Sequence, residues 1–240
     1  KLSLFASGIA LIAGLALVGC QSMDTEKDMD DMDDMKKMST EYTVTIEVES
    51  GSMTPLAPVV WAVHTGENPF VTEEMGKKIT GLEALAEDGS PGALNEALGM
   101  KEGVVSHGVA AVPSGSSEPG PAGPGKAYSF TFNAEKGQHL SFATMYVQSN
   151  DLFFSPGKKG LSLTEMDKPI SGDITGMIML YDAGTEKNEM PGEGMHQAPR
   201  QSMAGEGMDE MAPIQPIDTV MDDYSYPGVG ETITVTISPS

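Results

Sequence analysis

Two short stretches carry side chains that could do chemistry together. Ser149-Asn150-Asp151-Leu152-Phe153-Phe154-Ser155-Pro156 follows one apolar run, and Tyr181-Asp182-Ala183-Gly184-Thr185-Glu186 follows another. Both put carboxylates where a buried strand would run out into a loop. Carboxylates on neighbouring strand ends repel one another unless a cation sits between them. Calcium takes about six to eight oxygens, which two or three carboxylates, backbone carbonyls and waters can supply. Spacing alone leaves open whether the two loops are neighbours, and acidic loops are commonplace in a chain this acidic.

Methionine makes a second candidate set, with 18 in 240 residues. Met23, Met29, Met32, Met35 and Met38 crowd an acidic stretch near the start, and Met190, Met195, Met203, Met208 and Met211 accompany His196 further on. Thioether sulfur is a soft ligand that suits Cu(I), and an exposed methionine has no packing reason to be there. The plainer reading is a low-complexity accumulation of Asp-Met repeats, with the later methionines covering the fold. No His or Cys run stands beside the first group. That stretch also lacks the Gly and the terminal Glu of an EF-hand loop.

Catalysis finds little support. The chain has no Gly-x-Ser-x-Gly elbow, no His-Glu-x-x-His and no Gly-rich phosphate loop before a helix. Its four histidines, His64, His107, His139 and His196, are scattered, and its one cysteine is Cys20. His64 and His139 fall within or beside strands, where a hydrogen-bonded structural role is the commoner case. The expectation is a protein that is not an enzyme. A net charge of −21 argues against nucleic-acid binding, which needs a basic footprint, and against adhesion to anionic lipid by charge alone.

The elements that must position these residues read as short strands. Tyr42–Glu49 and Glu231–Ser238 alternate apolar and polar with period two, as half-buried strands do. Pro58–His64 is a more continuously apolar run. Ala127–Asn133 and His139–Gln148 are two further strands, with Glu135-Lys136-Gly137 between them as a hairpin turn, and Ile174–Tyr181 is another. Ile79, Leu82, Leu85 and then Ala93, Leu94, Ala97, Leu98 predict short helices, with Pro91 suited to a first turn and Gly89 and Gly99 to their ends. Residues 113–125 form a loop by composition, and residues 183–230 a long Gly/Pro/Met-rich excursion. The expected fold is all-β, an antiparallel β-sandwich with short helical insertions. Trp61, Phe130, Phe132 and Phe142 are expected in its core. Phe153 and Phe154, adjacent in a loop, cannot both face one interior, so one of them is expected to be exposed.

Residues 1–19 carry one charge and then an apolar run too short to span a bilayer comfortably, as in a secretory signal. They end in Leu17-Val18-Gly19-Cys20, which resembles the lipobox of bacterial lipoproteins. That resemblance implies lipid on Cys20 and a membrane as partner. Gln21, in place of Asp, implies the outer membrane by similarity to proteobacterial sorting. Residues 20–40 are acidic, rich in Asp and Met and without aromatics, and read as a solvated tether. Residues 41–240 are enough for one domain with its own core.

The chain also resembles the spondin-N domain family across roughly residues 41–239. The resemblance rests on Val147–Pro156, similar to the family's Pro-Ser-Pro-Asp-Trp-Phe segment, and on Leu180-Tyr-Asp-Ala-Gly-Thr-Glu186, similar to its Tyr-Asp-Ala-Gly-Thr-Asp segment. It implies an extracellular β-sandwich with calcium held by three acidic side chains, here Asp151, Asp182 and Glu186. Glu186 stands where the family has Asp, and Leu152 where it has Trp. The implied task is binding or adhesion, with a protein or polysaccharide as the partner. Phe153 or Phe154, if exposed beside the ion, would make a contact for it.

Overall fold

Ten residues of alternation open the sheet structure: in β1 (Ser39–Val48), Tyr42, Val44, Ile46 and Val48 all point inward. The computed structural model describes residues 39–72 and 77–240. Residues 1–38, with the stretch read as a signal, Cys20 and most of the stretch read as a tether, lie outside them. The strand starts two residues before the boundary at 41, because Ser39 and Thr40 already pair with Glu135 and Ala134.

After β1 come β2 (Val59–His64), the helices α1 (Leu82–Asp88) and α2 (Gly92–Leu98), and β3 (Val104–Ala110). Then follow β4 (Ala127–Glu135), β5 (His139–Met145), β6 (Leu152–Pro156) and four two-residue strands, β7 (Leu161–Ser162), β8 (Thr164–Glu165), β9 (Lys168–Pro169) and β10 (Gly172–Asp173). The chain closes with β11 (Ile178–Asp182), β12 (Gln215–Pro216), the one-turn helix α3 (Val229–Thr232) and β13 (Ile233–Pro239). All strand pairs are antiparallel.

One sheet has the order β10-β13-β1-β4, another β12-β11-β6-β5-β2-β3 with β7 added along β5, and β8 and β9 form a small two-stranded sheet of their own. The fold is an all-β sandwich. Between the sheets lie Tyr42, Ile46, Phe132, Phe142, Phe154 and Val235, among others. Burying each such side chain is worth roughly 1.5–3 kcal/mol. The larger sheet has a second core on its other face, where Leu82, Leu85, Leu94 and Leu98 of the two helices cover Val60, Ala62, Ala143 and Phe153. Gly89 ends α1 with φ 67°, donating its N–H toward Leu85 O at 3.0 Å. Gly99 caps α2, but with right-handed φ.

That helical layer corrects one expectation. Phe153 and Phe154 are both fully buried. They stand in a strand rather than a loop, on opposite faces of a sheet covered on both sides. A second correction concerns Glu135–Gly137. Gly137 takes φ 88°, as a tight turn requires, yet β4 and β5 do not pair. The turn arches from one sheet to the other instead of closing a hairpin. Strand β3, with its mixed Val-Val-Ser-His-Gly-Val-Ala pattern, was not legible as a strand.

Trp61 stacks on Phe130 with centroids 5.4 Å apart and planes 3° from parallel. Its other side is set by Gly108, where an added Cβ would lie 2.7 Å from Trp61 Cζ2. Gly108→Ala must therefore displace the ring. The expected cost is about 1–3 kcal/mol in urea unfolding, with a changed emission maximum from the sole tryptophan. An unchanged spectrum and midpoint would show that the indole has room to spare.

Candidate metal centre

The two acidic turns meet because β6 and β11 are neighbours, paired from Ile178↔Pro156 to Asp182↔Leu152. Asp151 immediately precedes the first of these strands and Asp182 ends the second. Ser149 shapes the approach: its hydroxyl donates to Tyr146 O at 2.6 Å and accepts from Leu152 N–H at 3.0 Å. That turn drives Asp151 inward until it is wholly buried.

Oδ2 of Asp151 accepts from Thr185 N–H (2.7 Å), Thr185 Oγ1 (3.2 Å) and Glu186 N–H (3.1 Å). Its backbone carbonyl accepts from Ala183 N–H at 3.2 Å. Its other carboxyl oxygen, Oδ1, is buried and has no hydrogen-bond partner among the described residues. Leaving such an atom unsatisfied costs about 1–3 kcal/mol, more if it is charged. Asp182 is nearly as buried. Its Oδ1 accepts from Gly184 N–H (2.6 Å) and its Oδ2 from Asn188 Nδ2 (2.7 Å). Gly184 makes the turn at φ 63°, pressed so close to residue 212 that a Cβ would lie 2.6 Å from Ala212 O. Lys78 Nζ locks this contact by donating to Gly184 O (2.9 Å) and Ala212 O (3.0 Å).

Electrostatics set the pair apart. Burial, and then the neighbouring Asp182, hold the Asp151 carboxyl above its ordinary range against the opposing hydrogen bonds of Thr185 and Glu186. Burial also raises Asp182, with Glu210 and Asp222 adding repulsion and Asn188 and Gly184 opposing it. Two carboxylates that repel each other out of water are what a divalent cation relieves.

Glu186 does not join them. Its Oε1 accepts from Gly207 N–H (2.9 Å) and its Oε2 from Asn150 Nδ2 (3.4 Å), on the side facing the end of α1. There it repels Glu87, whose carboxyl is pushed up to about 7, chiefly by burial. Among the described residues, no three His, Cys, Asp or Glu side chains converge closely enough to hold a metal as they stand. The residue sequence reasoning missed is Asp222. Asn188 Nδ2 bridges Asp182 Oδ2 and Asp222 Oδ2 at 2.7 and 3.3 Å, and Tyr226 donates its hydroxyl to Asp222 Oδ2 at 2.6 Å. Asp222 stands in the long excursion, where no periodicity marked it.

The residues fit a hard cation in part. Asp151 Oδ1 is an oxygen with nothing to accept from, Asp182 retains lone pairs, and Asp222 stands next to it. All are oxygen donors, the set calcium uses. A soft-metal set would need sulfur or imidazole, and neither lies among these contacts.

The histidines are less scattered than the sequence suggested. His64 and His139 face each other across β2 and β5, with ring centroids 5.9 Å apart, and His64 Nε2 lies 2.8 Å from Ser141 Oγ. Both members of that Ser–His pair are fully buried. His107 Nδ1 pairs with Asn95 Oδ1 at 2.9 Å, and His196 Nδ1 with Glu189 Oε1 at 2.9 Å. Neither protein-family models nor curated proteins match this chain at a significant level.

Proposed function

We propose that this chain is an exported lipoprotein, tethered to the outer membrane through lipid on Cys20. Its β-sandwich binds calcium and serves as a binding or adhesion module without catalysis. The observation that carries the reading is the buried, partnerless Asp151 Oδ1 beside a second buried carboxylate. Asp151 and Asp182 would hold the ion, with Asp222 the nearest further carboxylate. Calcium there would neutralise the cluster and tie the Ser149–Asp151 turn to the 183–188 turn. The chain's own contribution is a rigid frame: paired strands beneath, and Thr185 and Glu186 N–H groups fixing one face of Asp151.

Calcium is expected to raise the Tm of the full chain by about 5 °C or more at millimolar concentration, because it binds only the folded state. Asp182→Ala should abolish the shift, whereas Glu186→Ala should reduce it much less. No shift in the wild type would overturn the calcium reading. An equal loss in both variants would restore Glu186 as a full ligand. The anchor is tested separately: expressed in a bacterium, the chain should incorporate labelled palmitate, and Cys20→Ala should not. Labelling that persists in the variant would refute the lipobox.

One observation favours copper handling as a second reading. Met190, Met195, Met203, Met208, Met211 and Met221 are all at least half exposed, so packing does not account for them. Titration of the full chain with Cu(I) against a competing chelator tests this. Tight copper binding together with no response to calcium would reverse the order of the two proposals.

A further inference from the structure

Beside the carboxylate pair, at the β11–β12 edge of the larger sheet, the returning excursion encloses an open cleft of about 490 Å³. That is the size of a small-molecule site. Its floor is apolar, from Ile178 and Leu180 of β11 with Val229 of α3. Its walls carry Tyr224, Tyr226, Asp218 and Asp222, and among the described residues no Lys or Arg lines it. Asp222 is held in place by three donors: Tyr224 N–H (3.0 Å), Tyr226 Oη (2.6 Å) and Asn188 Nδ2 (3.3 Å). A phenol that donates to a carboxylate has a more electron-rich ring, which strengthens its attraction for a cation over its face. Tyr224, 38 % exposed, and the exposed Asp218 stand at the opening.

We propose that this cleft binds a small organic cation: an ammonium group on an apolar alkyl or aryl body. The ammonium is drawn by Asp218 and Asp222 and seated against the tyrosine rings, while the body lies on Ile178, Leu180 and Val229. Charge complementarity selects this class. An anion would meet two carboxylates, and a neutral ligand would forgo the attraction of Asp218 and Asp222. The amine seat adjoins the proposed calcium position, since Asn188 joins Asp222 to Asp182. Calcium on Asp182 would place positive charge nearby and weaken the amine, and by linkage the amine would weaken calcium by the same factor.

The test uses the full chain, titrated with phenethylammonium and with its neutral counterpart phenylethanol, and followed by calorimetry and Tyr ring NMR shifts. Phenethylammonium should bind at least about tenfold more tightly than the alcohol, and raising the salt should weaken it several-fold. Tyr224→Ala and Asp218→Asn should each lower its affinity about fivefold or more. Both positions are exposed, so Tm and the calcium response should be unchanged, and failure here would leave the calcium proposal standing. Equal binding of the alcohol overturns the inference. So does insensitivity to both variants, or binding of a lysine-rich peptide or a neutral oligosaccharide where the amine does not bind.

Discussion

Asp151→Asn is expected to stabilise the calcium-free chain by about 1–3 kcal/mol near pH 8 and to remove its response to calcium. The amide keeps an oxygen for the Thr185 and Glu186 N–H groups, and it replaces a buried, partnerless carboxylate oxygen with a neutral group. The sign follows from proton counting. Asp151 has its folded pKa raised, so the folded state keeps a proton that the unfolded chain has already released. Calcium-free stability therefore falls as pH rises out of the ordinary carboxylate range. Glu87, held at about 7, acts in the same sense up to neutrality. Calcium must displace the retained proton, so its apparent affinity rises with pH over the same interval. Urea midpoints in EDTA and in calcium, from about pH 4 to 9, measure both effects. If the Asn variant were weaker at pH 8 and still answered to calcium, the assignment of Asp151 would fail.

Falling pH should withdraw the stability that His64 contributes. This imidazole is buried, its Nδ1 has no partner among the described residues, and burial followed by repulsion from His139 depresses it to about 4. The unfolded chain's histidine titrates near 6.5, so below that pH the unfolded state takes up a proton that the folded state refuses. The His64 contribution is complete above about 6.5 and lost as pH falls toward 4, by roughly 3 kcal/mol in total. His64→Leu should flatten this acid limb while giving up the contact with Ser141 Oγ, at a cost near 1 kcal/mol at neutral pH. The Asp151 and Glu87 trends run the opposite way over the same interval in the calcium-free protein, so the His64 limb is read as the difference between the wild type and His64→Leu. An NMR titration placing His64 near 6.5 in the folded state would refute this.

Much of the sandwich is written locally. The alternation in β1, β4 and β13 shows which side chains face inward, because a strand sends successive residues to opposite faces. The helices α1 and α2 follow from leucines spaced three and four apart, and from glycines after their last turns. Other features depend on what covers an element. Phe153 looked exposable until α1 and α2 proved to lie over that face. The β4–β5 turn has the glycine of a hairpin, but which sheet a strand joins is decided by packing far from the turn.

The candidate centre divides in the same way. The sequence by itself determined the strand faces, the helix ends and two acidic turns, Asp151 and Asp182 among their residues, because propensity and polarity are properties of a few consecutive residues. The tertiary structure alone decided that β6 lies against β11, and so brings the two turns together. It also turned Glu186 toward Gly207, carried Asp222 in from the long excursion, and left Asp151 Oδ1 without a donor. Those outcomes depend on which distant backbone fills the space around a side chain, and no run of neighbouring residues encodes that.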